Sequence, residues 1–384
     1  MLPPAHLRTW IEIDRDALRH NVGQFLRLIP AATRFMGVIK SNAYGHGLLQ
    51  GANALSDMFR GSTSKHKHWC GVDSLVEALA LRREGIENPI LVFGYTLPAR
   101  IAEAAAKDVT LTISNFDALH ALAAAPRRPP FHIKIDTGMH RQGFLPHDFL
   151  KLLKLLKHSS LAPAGVYTHF ASAKDPHDPV STALQLKRFT AVCGILNEAG
   201  FSKILRHASA SGGTLLFPES HLDMVRVGMG MYGYLPSEEI KKSPIKEVIL
   251  KPALAWKTIV SEAKIIPAGS SVGYDGTERV KRSAKIAVLP IGYWHGYDRG
   301  LSSKGEVLIR GRRCRVLGRV SMDMTVVDVT DLARVRVGDE AVLIGKQGRD
   351  AIWADETAEK IGTTPYEFLT RLNPLIERIV LPQT

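Results

Sequence analysis

His68–Gly85 reads HWCGVDSLVEALALRREG. Its first residues form a short apolar run ending at Val72. The remainder places apolar side chains at helical spacing, with a start signal at Asp73 and a stop at Gly85. This is a strand followed at once by a helix. The same alternation extends in both directions. Upstream lies RFMGVIK (34–40). Downstream lie PILVFG (89–94), TLTI (110–113), FHIKID (131–136), AGVYTHF (164–170), ILRHAS (204–209) and MVRVG (224–228). Helical patterns such as FDALHALAAA and STALQLKRFTAVCGILNEAG fill most of the gaps. Strands alternating with helices argue for a parallel sheet. Eight such strands before about residue 235 predict an α/β fold, a closed eight-stranded parallel (β/α)8 TIM-type barrel. The runner-up is an open doubly wound sheet, but no GxGxxG follows the first strand.

Beyond LPSEEIKKSPIKEV (235–248) the character changes. LAWKTIVSEAKII, KIAVLPIG, EVLIR, RCRVLG, MTVVDVT and EAVLIG read as strands joined by Gly-containing turns. One helix, ADETAEKIG, follows near the end. The expected domains are a barrel over 10–245 and a smaller, mostly-β C-terminal domain over 246–384, with residues 1–9 free to pack against the latter. A chain of 384 residues is long enough for two cores.

Composition narrows the class. Hydrophobic residues make up 45% and charged residues 23%, an ordinary globular balance. No apolar run reaches the length of a membrane span, and MLPPAHLRTWIEID has no signal-like apolar stretch. Cys70, Cys193 and Cys314 are far apart and odd in number, so neither a disulfide framework nor a metal site is expected, and a cytoplasmic setting fits. The net charge of +13 raises nucleic acid as a partner. However, the densest basic clusters, RGSTSKHKH and RGRRCR, are short and carry no interleaved aromatics. A solvated basic surface, able to draw in anionic small molecules, is the better reading.

Three residues stand out for chemistry. Lys40 ends the first strand run, where barrel side chains face the active-site mouth. Partial desolvation there would lower its pKa and sharpen its amine as a nucleophile, although taken alone it reads more readily as a surface lysine. Arg226 lies between apolar neighbours in the eighth run and demands a partner, either a structural salt bridge or a ligand. Tyr274 sits beside Gly273 and Gly276 and by spacing alone is a turn tyrosine.

Context changes these readings. VIKSNAYGHG (38–47), KIDTGMHRQGF (134–144), YTHFASAKD (167–175), RHASASGGT (206–214), MVRVGMGMYGY (224–234), SVGYDGT (271–277), PIGYWHGY (290–297) and GRVSMDM (318–324) follow one another in an order that resembles the alanine racemase family. That family pairs a cofactor-bearing barrel with a C-terminal β domain, in agreement with the fold read above. The resemblance implies a pyridoxal 5′-phosphate enzyme that interconverts L- and D-alanine, supplying D-alanine for bacterial peptidoglycan. It implies that Lys40 carries the cofactor and serves as one base. Tyr274, supplied by the other subunit of a homodimer with shared active sites, is the second.

The resemblance also places Arg226 against the pyridine nitrogen. His169 and His207 tie that arginine into a hydrogen-bond network, although either histidine alone reads as a packed core residue. Ser211, Gly228, Met229 and Tyr44 hold the phosphate. Arg141 and the main-chain N–H of Met322 bind the substrate carboxylate. Lys134 matches a lysine that is carbamylated in some members and is left open here. No metal, nucleic acid or membrane is implied.

The pattern departs from the family at Ala210, where an asparagine is usual, and at Trp294 and His295, where Ala-Asp is usual. It departs again near Pro374, where a tyrosine that helps hold the phosphate is usual. A broader racemase for serine or basic amino acids stays as the alternative. A pyridoxal-phosphate-binding homeostasis protein would resemble the barrel alone and lack residues 246–384. A decarboxylase on a similar barrel would place an acid, not Arg226, at the pyridine nitrogen.

Overall fold

The structure is a computed structural model and describes residues 6–59, 68–242 and 248–382. Contacts divide the chain into two compact units. One comprises residues 18–41 and 51–251, and the other comprises residues 1–17, 42–50 and 252–384.

The first unit is built on eight parallel strands: β1 (Arg34–Val38), β2 (His68–Val72), β3 (Ile90–Val92), β4 (Thr110–Ile113), β5 (Phe131–Lys134), β6 (Gly165–Tyr167), β7 (Leu205–His207) and β8 (Met224–Val227). Each pairs with the next, and β8 returns to β1 with Met36 opposite Arg226. The gap between β7 and β8 is spanned by a bridge between Ala210 and Arg226, with Arg226 N–H donating to Ser209 O at 3.0 Å. The result is a nearly closed barrel, as the eight apolar runs predict. Those runs were legible because a parallel strand is covered on both faces. Every residue of β3, β4, β5 and β8 is buried.

The helices follow their local signals with small shifts. Leu75–Arg83 is capped by Ser74, not Asp73. The Ser74 hydroxyl accepts from Glu77 N–H, and Glu77 reaches back in a capping box. Asp73 cannot take that role because the cap oxygen must reach the N–H three residues on. Gly85, at φ +76°, ends the turn as expected. Pro179–Glu198 begins two residues before the expected start, with Asp178 as cap and Pro179 at the first helical position.

The second unit is mostly β. One sheet runs Arg312–Arg315, Glu306–Ile309, Glu340–Gln347, Leu254–Ile259, Thr9–Ile13, Arg378–Val380, with Asp350–Ile352 beside Glu340–Gln347. A second sheet joins Glu262–Ile266, Ala284–Leu289 and Thr325–Asp328, and Ser271–Val272 pairs with Glu278–Arg279. Thr9–Ile13 thus takes its place among C-terminal strands, antiparallel to Leu254–Ile259 and parallel to Arg378–Val380. Residues 42–50 group with this unit as well. The expected boundary at 245/246 lies outside the described residues, as does most of the basic cluster at 60–67. The predicted helix is Ala354–Lys360, and a second, Pro365–Thr370, follows it.

Candidate active site

Arg226 is the best-defined element. It is buried in β8, and its partners are not carboxylates. Nη1 donates to His207 Nδ1 at 2.8 Å. Nη2 donates to Thr168 O at 2.8 Å and Ala208 O at 2.7 Å, and lies 3.3 Å from His169 Nδ1. The salt-bridge reading is therefore set aside: no carboxylate pairs with Arg226 among the described residues. Burial lowers its pKa to about 10, which leaves it charged at neutral pH. Its Nε makes no hydrogen bond among the described residues, although the other nitrogens are engaged. His207 continues the chain through Nε2 to His132 Nδ1 at 2.9 Å, and its ring stacks on Tyr167 at 4.7 Å.

The three histidines are held neutral. Burial first, and then Arg226, pushes His132 down to about 3 and His169 and His207 well below the ordinary range. The unfolded chain binds protons at these sites below about pH 6.5, where the native state does not. Stability is therefore complete above that pH and is lost as pH falls from about 6.5 toward the folded values. At pH 5 each such site costs about 2 kcal/mol. The urea midpoint should drop clearly between pH 7 and pH 5. An unchanged midpoint would count against neutral buried histidines.

Around this core lie further cations. Lys134, at the end of β5, is buried, and its Nζ donates to Gln142 Oε1 at 3.0 Å. The Gln142 amide nitrogen is taken by Phe93 O and Ser114 Oγ, which turns its acceptor toward Lys134. Burial, then Arg141 and Arg226, lowers Lys134 to about 8, with Lys40 adding to the effect and Asp136 opposing it. His169 feels those three cations, Arg226, Arg141 and Lys40, and Lys134 as a fourth. Arg141 follows a loop wound around one carboxylate. Asp136 Oδ1 accepts from the N–H groups of Gly138, Met139 and His140, and Oδ2 accepts from Arg141 N–H. Burial opposes ionisation of Asp136, but these bonds outweigh it and hold its pKa low. The Arg141 guanidinium is exposed and makes no hydrogen bond or ion pair among the described residues.

Lys40 lies just past β1, and its ammonium is 3.8 Å from Asp73 Oδ1. The chain then makes a feature that the sequence did not announce. Ser41, Asn42, Ala43 and Tyr44 have φ of 55°, 55°, 51° and 51°, a turn of left-handed helix without glycine. Such backbone costs about 1–2 kcal/mol per residue and needs external support. Part of it comes from Glu77. Its Oε1 accepts from Ser41 N–H at 2.6 Å while Oε2 accepts from Asp73 and Ser74 N–H. Glu77 was legible as a capping-box residue, but its bond next to Lys40 was not.

Ser211 and Gly228, expected at the phosphate, come together. Gly228 N–H donates to Ser211 Oγ at 3.1 Å, at the ends of β7 and β8. Met229 opens the buried turn that follows. A Cβ on Gly212 would lie 2.6 Å from Ala173 O, so only glycine fits there. Ala210 supplies no side-chain cap to the Ser211–Leu216 helix.

The second unit carries the other predicted residues. Tyr274 opens a tight turn held by the Arg319–Asp275 ion pair and flanked by Gly273 at φ +75°. Its side chain is 69% exposed. Tyr293 N–H donates to Ser321 O and Trp294 N–H to Met322 O, so PIGYWHGY and GRVSMDM adjoin. Trp294, Met322 and Met324 are each more than half exposed, at 58%, 54% and 57%. Met322 N–H has no hydrogen-bond partner among the described residues. His295, by contrast, is structural: its Nδ1 accepts from Gly292 N–H at 3.2 Å. Tyr44 meets Tyr366 edge-on at 6.1 Å. Tyr366 is thus the C-terminal tyrosine beside Tyr44, a neighbour the sequence reading missed, while Pro374 is exposed. Among the described residues no group of His, Cys, Asp and Glu could hold a metal ion, and no helix is long and apolar enough to cross a membrane.

Fold and site together define a barrel protein with a cationic cluster at the C-terminal strand ends, accompanied by a mostly-β unit. Comparison with known proteins specifies the family. Residues 13–236 match the alanine racemase N-terminal domain, and residues 253–380 match the alanine racemase C-terminal domain. The chain is 40% identical to the alanine racemase of Symbiobacterium thermophilum over 375 residues, covering 96% of both. It is 38% identical to that of Desulforamulus reducens over 378 residues, covering 97% of this chain and 98% of the relative. Among solved structures, alanine racemase from Bacillus anthracis with bound L-Ala-P has a TM-score of 0.90 at 34% identity, covering 99% of this chain and 96% of that one. The chain belongs to the alanine racemase family.

Proposed function

We propose that this protein interconverts L-alanine and D-alanine with pyridoxal 5′-phosphate as cofactor, using Lys40 and Tyr274 as its two bases. The observation that carries the reading is the electrostatic cluster of Lys40, Lys134, Arg141 and Arg226 around neutral histidines. Such a site suits an anionic cofactor and a substrate carboxylate.

The donor set fits this cofactor. Arg226 Nε is the nitrogen left for the pyridine ring, and arginine does not readily surrender its proton. Ser211 Oγ and the Gly228–Met229 backbone would hold the phosphate, with Tyr44 as a further contact. When bound, the cofactor supplies an electron sink that lets the amino acid give up its α-proton. Lys40 Nζ would hold the cofactor covalently and, once released, move a proton at one face of the α-carbon. The Tyr274 hydroxyl would serve the other face. Arg141 and the Met322 N–H would hold the substrate carboxylate. The His169 Nδ1 faces an arginine N–H, which favours its proton on Nε2 and makes that edge a donor.

Tyr274 and Met322 would come from the partner in a homodimer, in keeping with the exposure of both side chains. A cytoplasmic setting and a supply of D-alanine for peptidoglycan complete the reading. The test is to incubate purified protein and cofactor with L-alanine and, separately, with L-serine, L-lysine and L-arginine, and to measure each D-isomer. D-alanine should form fastest, and borohydride should fix the cofactor on Lys40. Absence of D-alanine with a fully loaded protein would overturn the proposal, and a faster D-serine or D-lysine would move it to the broader racemase.

A further inference from the structure

The chain from Arg226 through His207 to His132 has only one consistent arrangement of protons. Arginine has five N–H donors and no acceptor. His207 Nδ1, 2.8 Å from Nη1, must therefore be an acceptor. A neutral His207 then carries its proton on Nε2 and donates it to His132 Nδ1 at 2.9 Å. His132 must accept there, so its own proton sits on Nε2. That atom is buried and makes no hydrogen bond among the described residues. The opposite arrangement would point a His207 N–H at an arginine N–H.

The rings have little room to escape this order. A Cβ on Gly165 would lie 2.7 Å from three atoms of the His132 ring, so the ring is seated against that glycine. Trp69 packs beside the ring, tilted by 45°, with centroids 5.3 Å apart. His207 is stacked on Tyr167 with planes 7° apart, and the Tyr167 hydroxyl is bonded to Thr112 Oγ1 at 3.0 Å. A buried N–H with no acceptor is unfavourable, and a leucine at this position would avoid it. What a leucine lacks is the Nδ1 acceptor.

We infer that His132 is a positioning residue: its Nδ1 acceptor fixes the proton of His207 on Nε2, which keeps the His207 Nδ1 lone pair on Arg226 and leaves Arg226 Nε directed at the ring nitrogen of the cofactor. The last clause rests on the proposed function, whereas the proton order does not. Asparagine at 132 can place its Oδ1 where Nδ1 lies and so preserve the acceptor. Leucine removes it while keeping an apolar side chain in the core.

The proton order is read in cofactor-free protein with ¹⁵N-labelled histidine, from long-range ¹H–¹⁵N spectra. Wild type should carry Nε2–H on both His132 and His207. His132→Asn should keep Nε2–H on His207, and His132→Leu should lose that single form. The consequence is read by binding of pyridoxal 5′-phosphate and of its analogue with carbon in place of the ring nitrogen. His132→Leu should weaken the natural cofactor about tenfold relative to the analogue, the size of one lost hydrogen bond, and His132→Asn should restore it. A merely structural role would weaken both ligands equally. An Nδ1–H form of His207 in wild type, or equal weakening of both ligands, overturns the inference. Failure of wild type to bind the cofactor while the histidines show the expected order would instead overturn the functional reading.

Discussion

Arg226→Ala should lower stability by about 3–5 kcal/mol and reduce alanine racemisation at least 100-fold. The truncation leaves Thr168 O, Ala208 O and His207 Nδ1 without their donor in a buried site. Each buried acceptor without a partner costs about 1–3 kcal/mol. Removing a desolvated charge offsets part of this, which places the net below the sum. These acceptors lie at the C-terminal ends of β6 and β7 and just beyond them, so the arginine on β8 ties three neighbouring strands of the barrel together. Arg226→Lys should fall between wild type and alanine. A lysine keeps the charge but is a point donor and cannot serve the carbonyls and the imidazole in the same planar fork. Urea unfolding measures the effect, with an unchanged slope indicating an intact fold. A midpoint shift worth less than about 1 kcal/mol would mean that this network does not hold the barrel.

The barrel was legible because its signal is local and repeated. A strand covered on both faces is mostly apolar, and helices such as Leu75–Arg83, Phe116–Ala124 and Pro179–Glu198 begin on the short-range caps Ser74, Asn115 and Asp178. Thr9–Ile13 was not assigned to its sheet because its partners, Leu254–Ile259 and Arg378–Val380, lie hundreds of residues away. Nothing in TWIEI names them. The left-handed turn after Lys40 was hidden for another reason. Positive φ is read from glycine or asparagine, and SNAY offers little of that signal. Part of its support comes from Glu77, on an element that local reading treats separately.

The site divides along similar lines. His207 and His169 lie at hydrogen-bond distance from Arg226, because strand ends in a barrel converge. His132 was missed because FHIKID reads as an ordinary strand. Only the closing of β5, β6 and β7 into one barrel, with no side chain at Gly165 between them, brings its Nδ1 within 2.9 Å of His207 Nε2. Tyr366 was missed because Tyr44 and Tyr366 meet through the fold of residues 42–50 onto the C-terminal unit.

Lys40→Ala and Tyr274→Phe should each be inactive alone, and mixing them should restore about a quarter of wild-type activity. The two proposed bases lie on different units of the chain, and Tyr274 is 69% exposed, free to be covered by a partner. In a two-fold dimer the same surface is used twice, so each barrel receives the partner's tyrosine and two sites form. A mixed dimer then has one site with both defects and one with neither. With free exchange of equal amounts, half of the dimers are mixed, which leaves about a quarter of all sites intact. Both substitutions are conservative with respect to folding, since neither side chain is buried in the core. Subunit exchange is verified by mass, with one variant isotopically labelled. D-alanine formation is then followed against wild type at equal site concentration. If exchange is complete and no activity returns, both bases come from a single chain, and Tyr274 serves the barrel to which it is covalently linked.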